Sequence, residues 1–191
     1  MTQRSLQITT IADPPVLLLQ AKNWLRIDHY DDDEALTELI AAVVNESESR
    51  TGRLFRVATC VLTLSEFPDD EDPIVLPRPP FVSLTSISYV NTAGSATALT
   101  TAQADVNAVP GVIYPPITGG WPATREQIAA VTVTYQAGAT PPAEMNGIWK
   151  LMLERDYDDH APQKLARYDA RIDAGLHRLT IRDSRLSGIS L

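Results

Sequence analysis

The chain has 191 residues, of which 44% are hydrophobic and 21% charged, with a net charge of −8. That is enough chain for one large domain or two small ones with a real core. The acidic balance argues against a dedicated nucleic-acid binder, whose affinity comes from neutralising phosphates, and the single cysteine, Cys60, excludes an intramolecular disulfide and a cysteine-based zinc site.

The N-terminal "MTQRSLQITT" lacks the apolar core and small-residue cleavage site of a signal peptide, so a cytoplasmic start is expected. No apolar run is long enough to cross a bilayer, and no membrane partner is expected. The first helix is predicted in "ADPPVLLLQAKNWLRID", with Asp13 as cap, Pro14 in the opening turn, and Leu17, Ala21, Trp24 and Leu25 on one face. A second helix is predicted through "DDDEALTELIAAVVNESESRTG". There Asp31 and Glu34 resemble a capping box, Leu36, Leu39, Ile40, Val43 and Val44 form an apolar stripe, and Gly52 supplies the stop.

From about Val57 to Ala137 the text turns β-like. "VATCVLTLSEF", "SLTSISYV" and "AAVTVTYQA" are rich in β-branched and aromatic residues and are separated by Pro- and Gly-rich turns. Cys60 reads as a small buried hydrophobe in the first of these strands. The run "EFPDDEDP" reads as an exposed hairpin tip. The prolines of "VLPRPPFVSLTSISYV" read as a stiff corner that ends a short strand and aims Phe81 and Val82 into a new one.

Helix returns after "AGATPP", with Thr140 as cap, Met145, Ile148, Trp149 and Met152 on one face, and Pro162 as stop. The last segment, Gln163 to Leu191, carries six Arg or Lys against three Asp and a narrow apolar seam. The predicted class is therefore α+β: a helical core of two N-terminal helices plus C-terminal helices, with an inserted antiparallel β-domain. The boundaries read as 1–56 and 139–162 for the core, 57–138 for the insertion, and 163–191 for a C-terminal docking helix.

Catalytic signals are sparse. "RIDHYDDDEALTE" and "RDYDDHAP" combine His with Asp, so a metal-dependent hydrolase built on His29, His160 and nearby aspartates is one alternative reading. Charge runs of this kind read as solvated faces and helix-end charges. Nucleophile-elbow, phosphate-loop and zincin motifs are absent from the sequence. The expectation is a non-enzyme with no catalytic, metal or cofactor residues. A β-domain that binds a surface ligand is a further alternative.

Four stretches together carry a likeness: "LLLQAKNWLRIDHYDDDEALTELIAAV" with "TGRLF", "IVLPRPPFVSLTSISYVNTAG", "GGWPATREQIAAVTVTYQAG", and the helix after "TPPAEMNGIWKLMLERDY". In these the chain resembles the head–tail connector family of long-tailed DNA bacteriophages and prophages, also called adaptor or head-completion proteins. The resemblance implies a helical core with an inserted β-domain and a ring of subunits, commonly a dodecamer, seated below the portal protein in the virion neck. It implies a channel through which DNA passes without specific binding, a platform for the next neck or tail-completion protein, and no cofactor. Localisation would be the virion neck, and the host cytoplasm during assembly. Gln163 to Leu191 departs from the family pattern. Its apolar seam and arginines, Leu165, Arg167, Tyr168, Arg171, Ile172, Arg178, Leu179, Arg182 and Arg185, are the candidate partner or oligomer interface.

Overall fold

The structure is a computed structural model. It describes residues 4–69, 72–157 and 162–187, with 162–164 and 181–187 described for the backbone only. The chain forms two compact units, each assembled from two separate stretches: Met1–Ala12 with Val57–Ala139, and Asp13–Arg56 with Thr140–Leu191.

The second unit holds the four helices α1 (Leu18–Leu25), α2 (Asp33–Thr51), α3 (Ala143–Tyr157) and α4 (Pro162–Ser187). Their apolar faces meet in one cluster that includes Ile40, Val43 and Val44 of α2, Ile148, Trp149 and Met152 of α3, and Ile172, Leu176 and Leu179 of α4. Trp149 is fully buried. Its indole Nε1–H donates to Ser47 Oγ at 3.0 Å, and Ser47 in turn donates to the Val44 carbonyl at 2.7 Å. A buried N–H thereby keeps a partner at no cost to the helix ladder. Phe55 packs edge-on against the indole, with ring centroids 5.8 Å apart.

The helix ends differ from the sequence reading. α1 begins at Leu18, with Leu17 in extended backbone at the cap, so Asp13 and Pro14 lie outside it. Pro15 disfavours helical backbone at Pro14, which explains the late start. α2 begins at Asp33 with Asp32 at the cap and no side-chain cap hydrogen bond. Asp33 instead pairs with Lys22 of α1 at 2.6 Å. Gly52 ends α2 at φ 68, the left-handed conformation expected of a glycine stop. Pro162, expected to stop a helix, opens α4. Its fixed φ and missing donor suit a first helical position.

An ionic lattice ties three of these helices. Arg155 of α3 reaches Glu46 of α2 at 2.8 Å, Asp169 of α4 at 3.2 Å and its neighbour Asp156 at 2.5 Å. Arg50 of α2 bonds Glu46 at 3.1 Å and also contacts Asp173 of α4. Burial alone pushes the Glu46 carboxyl up, but hydrogen bonds and charge from Arg155 and Arg50 outweigh it and hold the group below its ordinary value of 4.5.

Among the described residues the first unit contains eight strands: β1 (Arg4–Ile11), β2 (Ala58–Leu64), β3 (Ile74–Val75), β4 (Phe81–Val90), β5 (Ala96–Ala98), β6 (Gln103–Asp105), β7 (Val112–Tyr114) and β8 (Val131–Ala137). They make a five-stranded sheet ordered β1-β2-β8-β4-β5 and a three-stranded sheet ordered β3-β7-β6, antiparallel throughout. The fold is thus α+β. The N-terminal stretch corrects the sequence reading, which placed 1–56 in the helical core: Arg4–Ile11 is an edge strand paired with β2. Its alternation Leu6, Ile8 against Ser5, Gln7 is short and half-exposed, so its apolar signal is weak.

Alternation is clear in the central strands. Ala58, Cys60, Leu62 and Leu64 of β2 and Val131, Val133, Tyr135 and Ala137 of β8 are buried on one face. "EFPDDEDP" is not a hairpin tip. It leads from β2 in the larger sheet to β3 in the smaller one, since β2 pairs with β1 and β8. The proline corner then brings the chain back. Pro77 accepts a hydrogen bond from the buried Tyr135 hydroxyl at 2.7 Å, and Pro80 accepts one from the Gly138 N–H at 2.8 Å. Phe81 is turned into the core while Val82 stays exposed. The prolines therefore mark a change of sheet, made where their missing donors cost no ladder bond.

Two glycines give opposite expectations. A Cβ on Gly111 would lie 2.4 Å from the Phe81 Cβ, an atom fixed to the backbone of β4. Gly111→Ala is expected to cost roughly 1–3 kcal/mol by overpacking. Gly147 lies within α3 with nothing inside 4 Å of an added Cβ, and Gly147→Ala is expected to gain up to about 1 kcal/mol of helix propensity. Chemical denaturation of the two variants checks both signs. The Glu46 contribution is complete above its unfolded value and is lost as pH falls through the lower folded one. Thermal melting should therefore fall as pH drops below 4.5, and Glu46→Gln should flatten that acid limb.

Candidate functional site

The nine residues singled out in the tail fall on two sides of α4. Ile172 and Leu179 are buried in the chain's own helical core, with Leu176 between them, and Tyr168 packs against the same cluster. Leu165 is half-buried. Ile172 and Leu179 are thus committed within the chain and are not open to a partner. The reason is Leu176, which turns a narrow seam into an i, i+4, i+7 core stripe. Burying that stripe within the chain avoids the entropic cost of association.

Arg167, Arg171 and Arg178 are exposed on the other side. Arg182 and Arg185 continue the same sequence spacing, and their side chains lie outside the described residues. At 3.6 residues per turn, the five positions share one side of a long helix. Asp169 and Asp173 of α4 are engaged elsewhere, by Arg155 and Arg50 respectively. Among the described residues, Arg167, Arg171 and Arg178 have no ion-pair partner. An acidic chain thereby presents an arginine stripe on one helix.

Beside the stripe runs an open groove of about 860 Å³ between α3 and α4. Small residues Gly147, Ala170, Ala174 and Gly175 line it, and its charged residues are of both signs, Glu144 and Glu154 with Lys150, Arg171 and Arg178. An open groove lined by small residues and charges of both signs suits contact with another protein surface better than enclosure of a small molecule.

The residues considered for catalysis do not come together. His29 is half-exposed and 3.8 Å from Asp32, while His160 lies outside the described residues. Among the described residues, no three His, Cys, Asp or Glu side chains are grouped to hold a metal ion. Burial pushes the Cys60 thiol up, which disfavours the nucleophilic thiolate. The glycine pair of "ITGGWPATR" serves a loop in which Trp121 stacks on Phe67 at 4.7 Å and donates to the Asp72 carbonyl at 2.8 Å. Among the described residues, no helix is long and apolar enough to cross a membrane.

No protein-family profile and no curated protein matches the chain. Solved structures do. A chain from the neck of an empty gene transfer agent (GTA) particle, computed with C6 symmetry, is 20% identical, with a TM-score of 0.63 over 83% of this chain and 88% of that chain. A chain from the virion of a native GTA particle gives 20% identity and a TM-score of 0.64 over 82% and 87%. A chain from the neck of a native GTA particle, computed with C12 symmetry, gives 18% and 0.58 over 90% and 93%. The chain is similar to these across nearly its whole length, and it shares their fold.

Proposed function

We propose that this protein is a structural subunit of the head–tail junction of a phage or phage-like particle. It forms a ring, commonly of twelve copies, below the portal protein, extends the DNA channel, and offers a platform to the next neck or tail-completion protein. The observation that carries this reading is the shared fold with chains of GTA neck and virion structures, over 82–90% of this chain and 87–93% of those chains. The symmetries of those assemblies, C6 and C12, support a ring. The role calls for no catalysis and no cofactor. It places the protein in the virion neck, and in the host cytoplasm during assembly.

The arginine stripe of α4 is the docking side, for the portal or for a neighbouring copy. Arginine suits such contacts because its planar fork binds carboxylates two at a time. The net charge of −8 favours passage of DNA without capture, since an acidic wall repels phosphate.

Electron microscopy of the particle neck tests the placement: density for this chain in a ring below the portal is expected, and its absence from the neck overturns the reading. Charge reversal tests the docking side. The triple variant Arg167→Glu, Arg171→Glu, Arg178→Glu alters exposed side chains and should leave the helical core folded by circular dichroism. It is expected to weaken portal or neighbour binding by at least about a hundredfold, as loss of several interfacial charge pairs does. Unchanged binding removes the stripe from the interface.

A further inference from the structure

We propose that the five-stranded sheet is one segment of a sheet that runs between subunits. In it, the outer edge of β1 in one copy pairs antiparallel with the open stretch Val82–Ser86 of β4 in the next.

Both edges of the sheet are open. β1 is the terminal strand, and among the described residues it pairs with β2 alone. At the other side β5 covers β4 over Ser88–Val90 alone, extended by a hydrogen bond from the Leu99 N–H to the Ile87 carbonyl at 2.9 Å. Among the described residues, no strand pairs with the outer edge of Val82–Ser86.

Both edges carry bulges, one common edge device, but neither is blunted by charge. Sheets blunt free edges with lysines, prolines or inward charges. β4 has no charged residue in ten, and β1 has only Arg4, whose guanidinium is engaged by the Val75 carbonyl. Exposed apolar side chains sit at both edges instead: Ile8 at 40% and Ile11 at 41% on β1, and Val82 at 41% on β4.

The two edges complement each other, which commits the occupant to a second copy. The four long strands β1, β2, β8 and β4 alternate in direction. A neighbour's β1 laid beside β4 in head-to-tail fashion therefore continues the antiparallel pattern. Such a heterologous contact is the kind that repeats around a ring. The faces match as well. Ser5 and Gln7 of β1 share the outer face with Thr59, Val61 and Thr63 of β2, as do Ser83 and Ser86 with Gln136 and Thr134 of β8. That face is free of charge, so a seam between acidic copies meets no like-charge repulsion there.

Curvature is built in at the seams. β1 breaks register between Ile8 and Thr10, and β4 does so at Phe81/Ser83 and Leu84/Ser86, whereas the central β2–β8 ladder is regular. Bulges bend and twist a strand. At the margins they disfavour flat open-ended stacking and favour an array that closes. The proposal rests on the ring reading above only for that closure.

The test is mixed cross-linking of the full chain. Protein carrying Gln7→Cys is combined with protein carrying Ser83→Cys and, separately, Ser86→Cys, under mild oxidation; a disulfide requires Cα atoms within about 7 Å. Cys60 is buried and stays out of the exchange. The expected result is a mixed dimer in excess over both homodimers. Gln7→Lys, which puts a charge on the exposed outer face of β1 at the seam, should weaken self-association about tenfold, or about 1.4 kcal/mol, with thermal unfolding unchanged. Homodimers alone, or no disulfide at up to roughly millimolar protein, a weak-association limit, overturn the proposal. Rings that assemble without the mixed disulfide overturn the edge pairing and leave the neck role standing. Mixed disulfides in open chains that never close support the edge pairing and count against the ring.

Discussion

The helical unit depends on the burial of Trp149. This side chain stands on α3, yet its indole bonds Ser47 of α2, 102 residues earlier in the chain, and its ring meets Phe55 just beyond α2. The core exists only when the stretch before the β-strands and the stretch after them close on each other. Loop-closure entropy rises slowly with loop length. A β-unit placed between two halves of a helical unit therefore costs little more than a short connection would. The fully desolvated aromatic, with its one polar atom satisfied, supplies the apolar burial that closure needs.

Electrostatics then divides the helical unit into an inside and an outside. Glu46, Asp169 and Asp173 are held by Arg50 and Arg155, which join α2, α3 and α4. Arg56 pairs with the buried Glu48 at 3.3 Å, and Glu48 also accepts the Phe55 N–H at 2.9 Å, fixing the chain where it leaves the unit. With Asp169 and Asp173 engaged by other helices, Arg167, Arg171 and Arg178 give α4 a cationic side on a protein of net charge −8. The exposed cationic side is thus a by-product of how the helices are tied together.

The β-unit follows a different rule. Its central strands β2 and β8 are regular, alternating and buried on one face, while the irregularities are confined to β1 and β4. The proline corner and Gly111 allow the chain to pass between two sheets within a few residues, because Phe81 can sit against a residue with no side chain.

The α+β class, the helical segments around Leu36–Val44 and Met145–Met152, the buried Cys60 strand and the change of direction at "PRPP" could be read from sequence, because periodicity and proline chemistry are local. The resemblance to head–tail connectors was likewise carried by local stretches. The assignment of Arg4–Ile11 to the β-unit was not legible, since an edge strand is half-exposed and its identity comes from its partner β2, some fifty residues away. Helix starts at Asp13 and Asp31 were misplaced because a potential cap competes with proline geometry and with the Lys22–Asp33 pair. The arginines of the tail were visible, but not their freedom. Only the tertiary structure, by burying Ile172, Leu176 and Leu179 and by spending Asp169 and Asp173 on other helices, decided which side of α4 faces outward. Sequence determines what each residue can do over one or two turns, and long-range packing decides which of those capacities remain available.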